Sequence, residues 1–378
     1  MISASSLVEA TQEASVEAVK EARRQTEICN ACRYCEGYCS VFPAAFSART
    51  YSDADITQLA NLCHNCRGCF YACQYTAPHE FDLNLPQALA KVRSASWAQF
   101  VFPGAFASLF QRSGVAIGVL SVLGFAAIFA IAQLMGQVGQ VGQVGEAGGA
   151  GFYAVMSHSL MVAIFAPAFL VPLVVIMGGL WMYWCHVGGK WISISDLTGA
   201  LGSAARMKNL GGGHGEGCNF ESEDKYSNQR RMMHQLTMYG FLLCFASTSS
   251  ATILHYVFDY PAPYAWWTLP KLFGVTGGVM MSVGAFSLAW FKTRGDKALG
   301  DEAVWGGEMA FVLLLGWVGL SGLLLYWMGQ TPVMATLLAL HLGAVLTLFL
   351  LMPYSKMVHG FFRLAALVRD EQRKRLGA

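Results

Sequence analysis

The chain has 378 residues, 55% of them hydrophobic and 13% charged, with 25 Lys and Arg against 23 Asp and Glu for a formal charge of +2. Soluble domains carry about 25% charged residues, so half that density points to a chain that hides much of its surface in lipid. The near balance of charge gives no reason to expect nucleic acid as a partner, and no Ser/His/Asp, Cys/His or paired-carboxylate set stands out as a hydrolytic centre.

Residues 1–28 are charged and carry Leu7, Val16 and Val19 on a helical period. They predict a cytoplasmic helix rather than a targeting peptide, either docked or solvated. Next come eight cysteines in two copies of Cys-x2-Cys-x2-Cys-x3-Cys: Cys29, Cys32, Cys35 and Cys39, then Cys63, Cys66, Cys69 and Cys73. Three thiolates at three-residue steps can meet three corners of one cubane iron–sulfur cluster. In two-cluster ferredoxins the fourth thiolate of each run ligates the other cluster. On that pattern Cys29, Cys32, Cys35 and Cys73 hold one 4Fe-4S cluster, and Cys63, Cys66, Cys69 and Cys39 hold the second. A structural zinc site takes separated Cys or His pairs and has no use for an unbroken triple repeated at one spacing. Ferredoxins place proline straight after the fourth cysteine; Ser40 and Gln74 stand there in this chain, with Pro43 and Pro78 downstream. No signal peptide precedes the cysteines, so a disulfide framework is set aside and a reducing compartment expected.

Between the runs, Ser52, Asp53, Ala54 and Asp55 read as a capping box opening a short helix through Ile56, Leu59 and Leu62. Nothing in residues 1–100 alternates with a period of two. The expectation is therefore all-α: a helical ferredoxin-like two-cluster domain over residues 1–100, followed over 101–378 by about six transmembrane helices with a loop at 187–233. Charge-free stretches at 113–145, 147–189, 232–258, 272–291 and 309–355 place the spans near 114–134, 157–184, 236–256, 270–291, 308–328 and 333–353. The last two are separated by a turn at 328–332.

Lys and Arg gather before the first span, in the loops after the second and fourth, and after the sixth, as in Lys190, Arg206, Arg230, Arg231, Lys292 and Arg363. The opposite loops carry Glu146, Asp259 and, marginally, Lys271. The positive-inside rule then puts both termini and the cysteines in the cytoplasm. A Gly-Gln-Val repeat from residue 136, continuing Gly-rich to 151, predicts a flexible extracytoplasmic linker. In the loop after the second span, Ile192, Ile194, Leu197, Leu201, Ala204 and Met207 predict an interfacial helix. The glycine run at 211–217 has neither the Lys-Ser/Thr ending of a phosphate loop nor a preceding strand, and reads as a mobile loop. Cys185, Cys218 and Cys244 fall outside the cluster spacing and receive no ligand role.

Ionisable groups within spans mark function, and here nearly all are histidines. Neutral imidazole is the usual axial ligand of b-type haem. His158, His255 and His341 are candidates at the outer end, His186, His234 and His359 at the inner end, and a ligand pair must come from one end. His341 and His359 lie eighteen residues apart, five turns and about 27 Å on one continuous helix face. His64 and His79 belong with the cluster domain as packing or tuning groups.

The eight cysteines, six spans, the Gly-Gly-Gly-x-Gly-x-Gly-Cys-Asn run at 211–219 and Tyr-Gly-Phe-Leu-Leu-Cys-Phe-Ala at 239–246 together resemble the tricarballylate or citrate utilisation B family over nearly the whole chain. Its membrane part is similar in layout to the gamma subunit of respiratory nitrate reductase and to the haem subunit of heterodisulfide reductase. The resemblance implies a bacterial inner-membrane electron-transfer protein. Its expected partners are an FAD-dependent dehydrogenase acting on tricarballylate, the lipid bilayer and membrane quinone; its expected cofactors are two 4Fe-4S clusters and b-type haem. Other readings of the residues are a membrane anchor for a succinate, glycerol-phosphate or heterodisulfide type of oxidoreductase, and a membrane redox sensor. A transporter would leave the eight cysteines without a purpose.

Overall fold

The computed structural model describes residues 4–134, 155–212, 215–220 and 225–377, so the Gly-rich linker expected at 136–151 lies outside the described residues. Named strands are absent among the described residues, and an isolated bridge pairs Cys218 with Ser227. The all-α expectation holds.

The N-terminal unit comprises α1 (Ala4–Cys32), α2 (Val41–Phe46), α3 (Asp53–Leu62), α4 (Gly68–Tyr71) and α5 (Leu85–Phe100). The Ser52 hydroxyl accepts from the Asp55 amide while the Asp55 side chain answers to the Ser52 amide, completing the capping box that opens α3. Asn84 caps α5 through the Gln87 amide, with Pro86 in its first turn, where a missing N–H costs nothing. α3 and α5 pack across Ile56, Leu59, Leu62 and Leu89, all nearly inaccessible to solvent.

After α6 (Gly104–Arg112) come six helices long and apolar enough to cross a membrane: α7 (Gly114–Leu134), α8 (His158–His186), α10 (Gln229–Val257), α11 (Leu269–Arg294), α12 (Trp305–Met328) and α13 (Met334–Leu351). The expected turn separates α12 from α13. Small residues set their contacts, as in other membrane bundles. A Cβ on Gly240 of α10 would lie 2.4 Å from the Met281 amide of α11, and one on Gly343 of α13 would lie 2.6 Å from Phe125 Cα of α7.

Two short elements complete the base of the bundle: α9 (Ile194–Arg206), opened by a second capping box at Ser193, and the C-terminal α14 (His359–Leu376). α9 leaves Ile194, Leu197 and Leu201 exposed on one side, with Trp191 exposed just before it, the apolar face expected of an interfacial helix. Asp196 on its buried side takes two bonds from Arg375 of α14, at 2.8 and 2.9 Å. α14 also closes on the cysteine unit. Gln58 of α3 donates to the Ala366 carbonyl at 2.8 Å and accepts from the Tyr183 hydroxyl of α8 at 2.6 Å. Tyr183 and Phe362 are fully buried beside Phe100. Truncation of a ring buried this way costs about 3–5 kcal/mol. One apolar core thus runs from α3 and α5 through the end of α8 into α14.

The break between α13 and α14 corrects one inference from spacing. The chain turns through residues 352–355 and a 3-10 turn at Lys356–Val358 before α14 starts at His359. Pro353, which lacks an amide hydrogen, stands in the turn. His341 and His359 are therefore on different helices and do not share a face.

Candidate metal centre

α1 does not stop short of the cysteines. Cys29 and Cys32 lie on its last turn, three residues apart on one face, and Arg33 then takes the left-handed conformation that turns the chain toward Cys35. These three thiols and Cys73 of the second run line a cavity of about 260 Å³ walled by Phe42, Phe70 and Leu85. Cys32 is exposed and Tyr34 stands 71% exposed beside it, so this group reaches the surface. Cys39 of the first run turns instead to Cys63, Cys66 and Cys69 around a tighter void of about 20 Å³. Cys69 borders both voids. Cys29, Cys32, Cys35 and Cys73 thus border the first void alone, Cys39, Cys63 and Cys66 the second alone, and Cys69 both, so each void gathers thiols from both runs.

Among the described residues, no three His, Cys, Asp or Glu side chains close on a single metal ion. The thiols are spread around voids instead. A cubane binds each thiolate at a different iron, and its ligands stand apart in this way. Burial, reinforced by neighbouring thiols, pushes Cys29 and Cys35 up to about 12, and burial pushes Cys66 up to about 11. Free thiols here stay protonated at neutral pH, and only a strong cationic centre would hold them as thiolates. The donor chemistry of both groups fits iron–sulfur clusters.

The second group is enclosed by arginines. Arg93 of α5 and Arg363 of α14 both donate to the Cys63 carbonyl at 2.7 Å, and Arg230 of α10 donates to the Asn65 carbonyl at 2.8 Å. Arg67, within the loop, donates to the Phe220 carbonyl at 2.9 Å. The Phe220 ring lies between two guanidiniums, 4.3 Å from Arg67 and 3.8 Å from Arg230. Arg67 and Arg93 are each only 5% exposed. Among the described residues, none of these four arginines forms an ion pair with a carboxylate.

Phe220 follows the glycine-rich run read from sequence as a mobile loop, of which residues 213–214 lie outside the described residues. Its described residues dock on the second cysteine loop: the Asn219 amide donates to the Cys66 carbonyl at 3.0 Å, and Cys218 pairs with Ser227 through bonds of 3.0 and 3.2 Å. Gly217, with φ +115, makes the turn, and a Cβ there would lie 2.1 Å from the Ser227 carbonyl oxygen. Upstream, Asn209 accepts from both the amide (3.2 Å) and the hydroxyl (2.7 Å) of Ser40. Proline, usual after the fourth ferredoxin cysteine, could give neither bond. Cys218 is buried, donates to the Leu210 carbonyl at 3.2 Å and lies outside the walls of both voids.

Four of the six candidate histidines meet in two pairs at opposite ends of α10. Near the cysteines, His234 of α10 and His359 of α14 have ring centroids 5.8 Å apart at 82°. An iron bonded at ~2.0 Å to a nitrogen of each ring would put the centroids about 6 Å apart, so this pair has the spacing of two ligands of one metal. His359 donates through Nδ1 to the Lys356 carbonyl, which leaves Nε2 for a metal. Burial, then the charges of Arg363 and Lys356, hold its imidazole well below the usual range and neutral. His234 Nδ1 is buried without a hydrogen-bond partner. At the far end the rings of His158 and His255 stand 4.1 Å apart, closer than an intervening iron allows, and Tyr256 bonds His158 Nε2 at 2.9 Å. His341 is not brought to either pair and meets Ser321 at 3.1 Å. His186 packs on Phe100, His64 is buried with Nδ1 on the Leu62 carbonyl, and His79 packs on Tyr75.

Arg67, Arg93, Arg230, Arg363, Asn219 and Phe220 contact or surround the second cysteine loop and are not among the site residues expected from sequence. In the sequence Arg93, Arg230 and Arg363 speak only to topology, Asn219 only closes the motif at 211–219, and nothing singles out Arg67 or Phe220.

A family model described as Citrate utilization protein B matches residues 108–378, and one described as Citrate utilization protein B Fer4-like domain matches residues 22–99. The chain is 38% identical over 357 residues to Citrate utilization protein B of Escherichia coli, covering 94% of this chain and 93% of that protein. No solved structure matches the chain.

Proposed function

Because the chain belongs to the citrate utilization protein B family, we propose that it carries electrons from a reduced FAD-dependent dehydrogenase, through two 4Fe-4S clusters and b-type haem, to membrane quinone. The Fer4-like domain gives the iron–sulfur electron-transfer role, and the six apolar helices make it a multi-pass membrane protein. The observation that supports the finer reading is the mixing of the two runs: Cys73 joins Cys29, Cys32 and Cys35 around one void, and Cys39 joins Cys63, Cys66 and Cys69 around the other, with Cys69 on both walls.

When bound, the clusters supply one-electron outer-sphere transfer, which needs no nucleophile and no substrate cleft. The protein's own part is positional. Cys32 and Tyr34 keep the first group at the surface, within reach of a soluble flavoprotein. Cys69, shared by both walls, keeps the groups adjacent. Arg363 bonds the Cys63 carbonyl from the helix that begins at His359, and His359 faces His234, so the second group and the inner histidine pair are joined by a few bonds. His234 and His359 are the residues that would hold haem at this end. The cysteine unit sits at the end of the bundle that bears Lys190, Arg206, Arg230 and Arg294, which supports a cytoplasmic location by the positive-inside rule.

The dehydrogenase we expect acts on tricarballylate or citrate, following the family's name. Purified protein in lipid vesicles, given a reduced flavoprotein and a quinone analogue, should sustain quinone reduction. It should also show a haem band on reduction that is absent from His234→Ala and His359→Ala. A protein that is reduced once and does not turn over would behave as a redox sensor and contradict this reading.

A further inference from the structure

The two groups of cysteines sit in opposite electrostatic surroundings. The first void is lined by thiols, aromatic and aliphatic side chains and Gln74, with no charged side chain among them. The second lies inside the four arginines: Arg67 borders its void, Arg93 and Arg363 converge on the Cys63 carbonyl, and Arg230 holds the Asn65 carbonyl. Next to them, Glu308 is already shared between Lys292, at 2.6 Å, and Lys356. Neither lysine leaves that carboxylate free to balance the arginines.

Buried guanidiniums without carboxylates are costly unless an anion compensates them. A 4Fe-4S cluster on four thiolates carries net negative charge and gains one more on reduction. Among the described residues Asp296 acts on Arg67 without pairing with it and no carboxylate pairs with any of the four, so such a cluster would be the anion in contact with this enclosure. Sulfur acceptance acts in the same direction: the Asn65 amide meets Cys63 Sγ at 3.4 Å, Gly68 serves Cys66, and Val41 and Phe42 both serve Cys39. In the first group Tyr75 and Thr76 serve Cys73. Burial opposes these effects, because the added electron is less well solvated, and the second group is the more buried one. Four fixed positive charges in contact with the loop outweigh that loss, since the same burial that removes water strengthens their attraction for the added electron.

We propose that the collar of Arg67, Arg93, Arg230 and Arg363 makes the second cysteine group the higher-potential of two redox centres, so that electrons run inward from the exposed first group. This rests on both groups holding clusters, as proposed above. In each transfer one electron leaves the first centre, which is reoxidised, and reduces the second, with no bond broken and no proton moved. The electron that refills the first centre comes from the reduced flavin.

An anaerobic redox titration of the detergent-purified full chain, followed by electron paramagnetic resonance, tests this. Arg230→Gln should lower the higher of the two midpoints by at least a tenfold change in its reduction equilibrium, 59 mV for one electron, leaving the lower one in place. Arg230→Lys, which keeps the charge, should stay near wild type, and Arg93→Gln gives a second charge deletion if Arg230→Gln does not fold. Two cubane signals with both midpoints unmoved in the two glutamine variants, or a shift confined to the lower one, would overturn the collar's role alone. Iron and sulfide analysis showing no cubane cluster would instead sink the parent reading and this inference with it.

Discussion

Replacing Gly217 by alanine should lift residues 215–220, which lie as a lid on the second cysteine loop through the Asn219 amide and the Cys66 carbonyl. Gly217 has φ +115, which a side chain rarely adopts, and the new Cβ would sit 2.1 Å from the Ser227 carbonyl oxygen and 2.7 Å from the Asn228 amide. Those neighbours are backbone atoms, so relief requires the turn itself to move. A backbone held in such a region costs about 1–3 kcal/mol. Moving it also gives up the two Cys218–Ser227 bonds, at about 1 kcal/mol each. The closed lid should lose about 3–5 kcal/mol, roughly a 10²–10⁴-fold rise in the open population. Asn219 would then release Cys66, and Phe220 would leave the space between Arg67 and Arg230. Two assays follow the opening: bleaching of iron–sulfur absorbance in air, and tryptic cutting near Lys225. Both should accelerate in Gly217→Ala and not in Gly202→Ala, whose Cβ would meet nothing within 4 Å. Bleaching and cutting rates within twofold of wild type would refute the lid.

Cys39→Ala, although it changes the first run, should abolish the signal of the second cluster and leave the first, as read by electron paramagnetic resonance; loss of the first signal alone would break the crossed assignment. His234→Ala and His359→Ala should each remove the same haem band in reduced-minus-oxidised spectra, whereas His341→Ala should retain it, because His341 meets Ser321 rather than another histidine. The hydrogen bond from Arg375, which outweighs burial, holds the Asp196 carboxyl well below its usual range. A carboxyl lowered on folding stabilises above its unfolded pKa of about 3.9, and that contribution fades as pH falls through the lower folded value. The docking of α14 on α9 should therefore loosen in strong acid, and Asp196→Asn should abolish that acid dependence in hydrogen exchange of residues 359–376.

The sequence was most legible where a single local rule decides structure. Hydropathy alone located the six spans, because a helix in lipid leaves few alternatives. The Ser52 and Asp55 pair announced α3 because a capping box is a contact between residues three apart. What stayed hidden depends on residues far apart in the chain. Arg93, Arg230 and Arg363 meet around one loop only after α5, α10 and α14 have packed, and their spacing carries no trace of it. The glycine run looked mobile because glycine is permissive; its role as a tight turn appears only when Ser227 returns beside Cys218. Helix periodicity misled at His341 and His359 because it assumes an unbroken helix, and the turn at 352–355 intervenes.

The central claim, two iron–sulfur clusters at the entrance of a membrane redox path, is tested most directly by counting iron and acid-labile sulfide per chain in protein purified without oxygen, with its reduced paramagnetic spectrum taken on the same sample. The account predicts iron and sulfide sufficient for two 4Fe-4S clusters, with signals broadened by mutual interaction as expected of adjacent centres. Zinc in place of iron, or iron without labile sulfide, would contradict it.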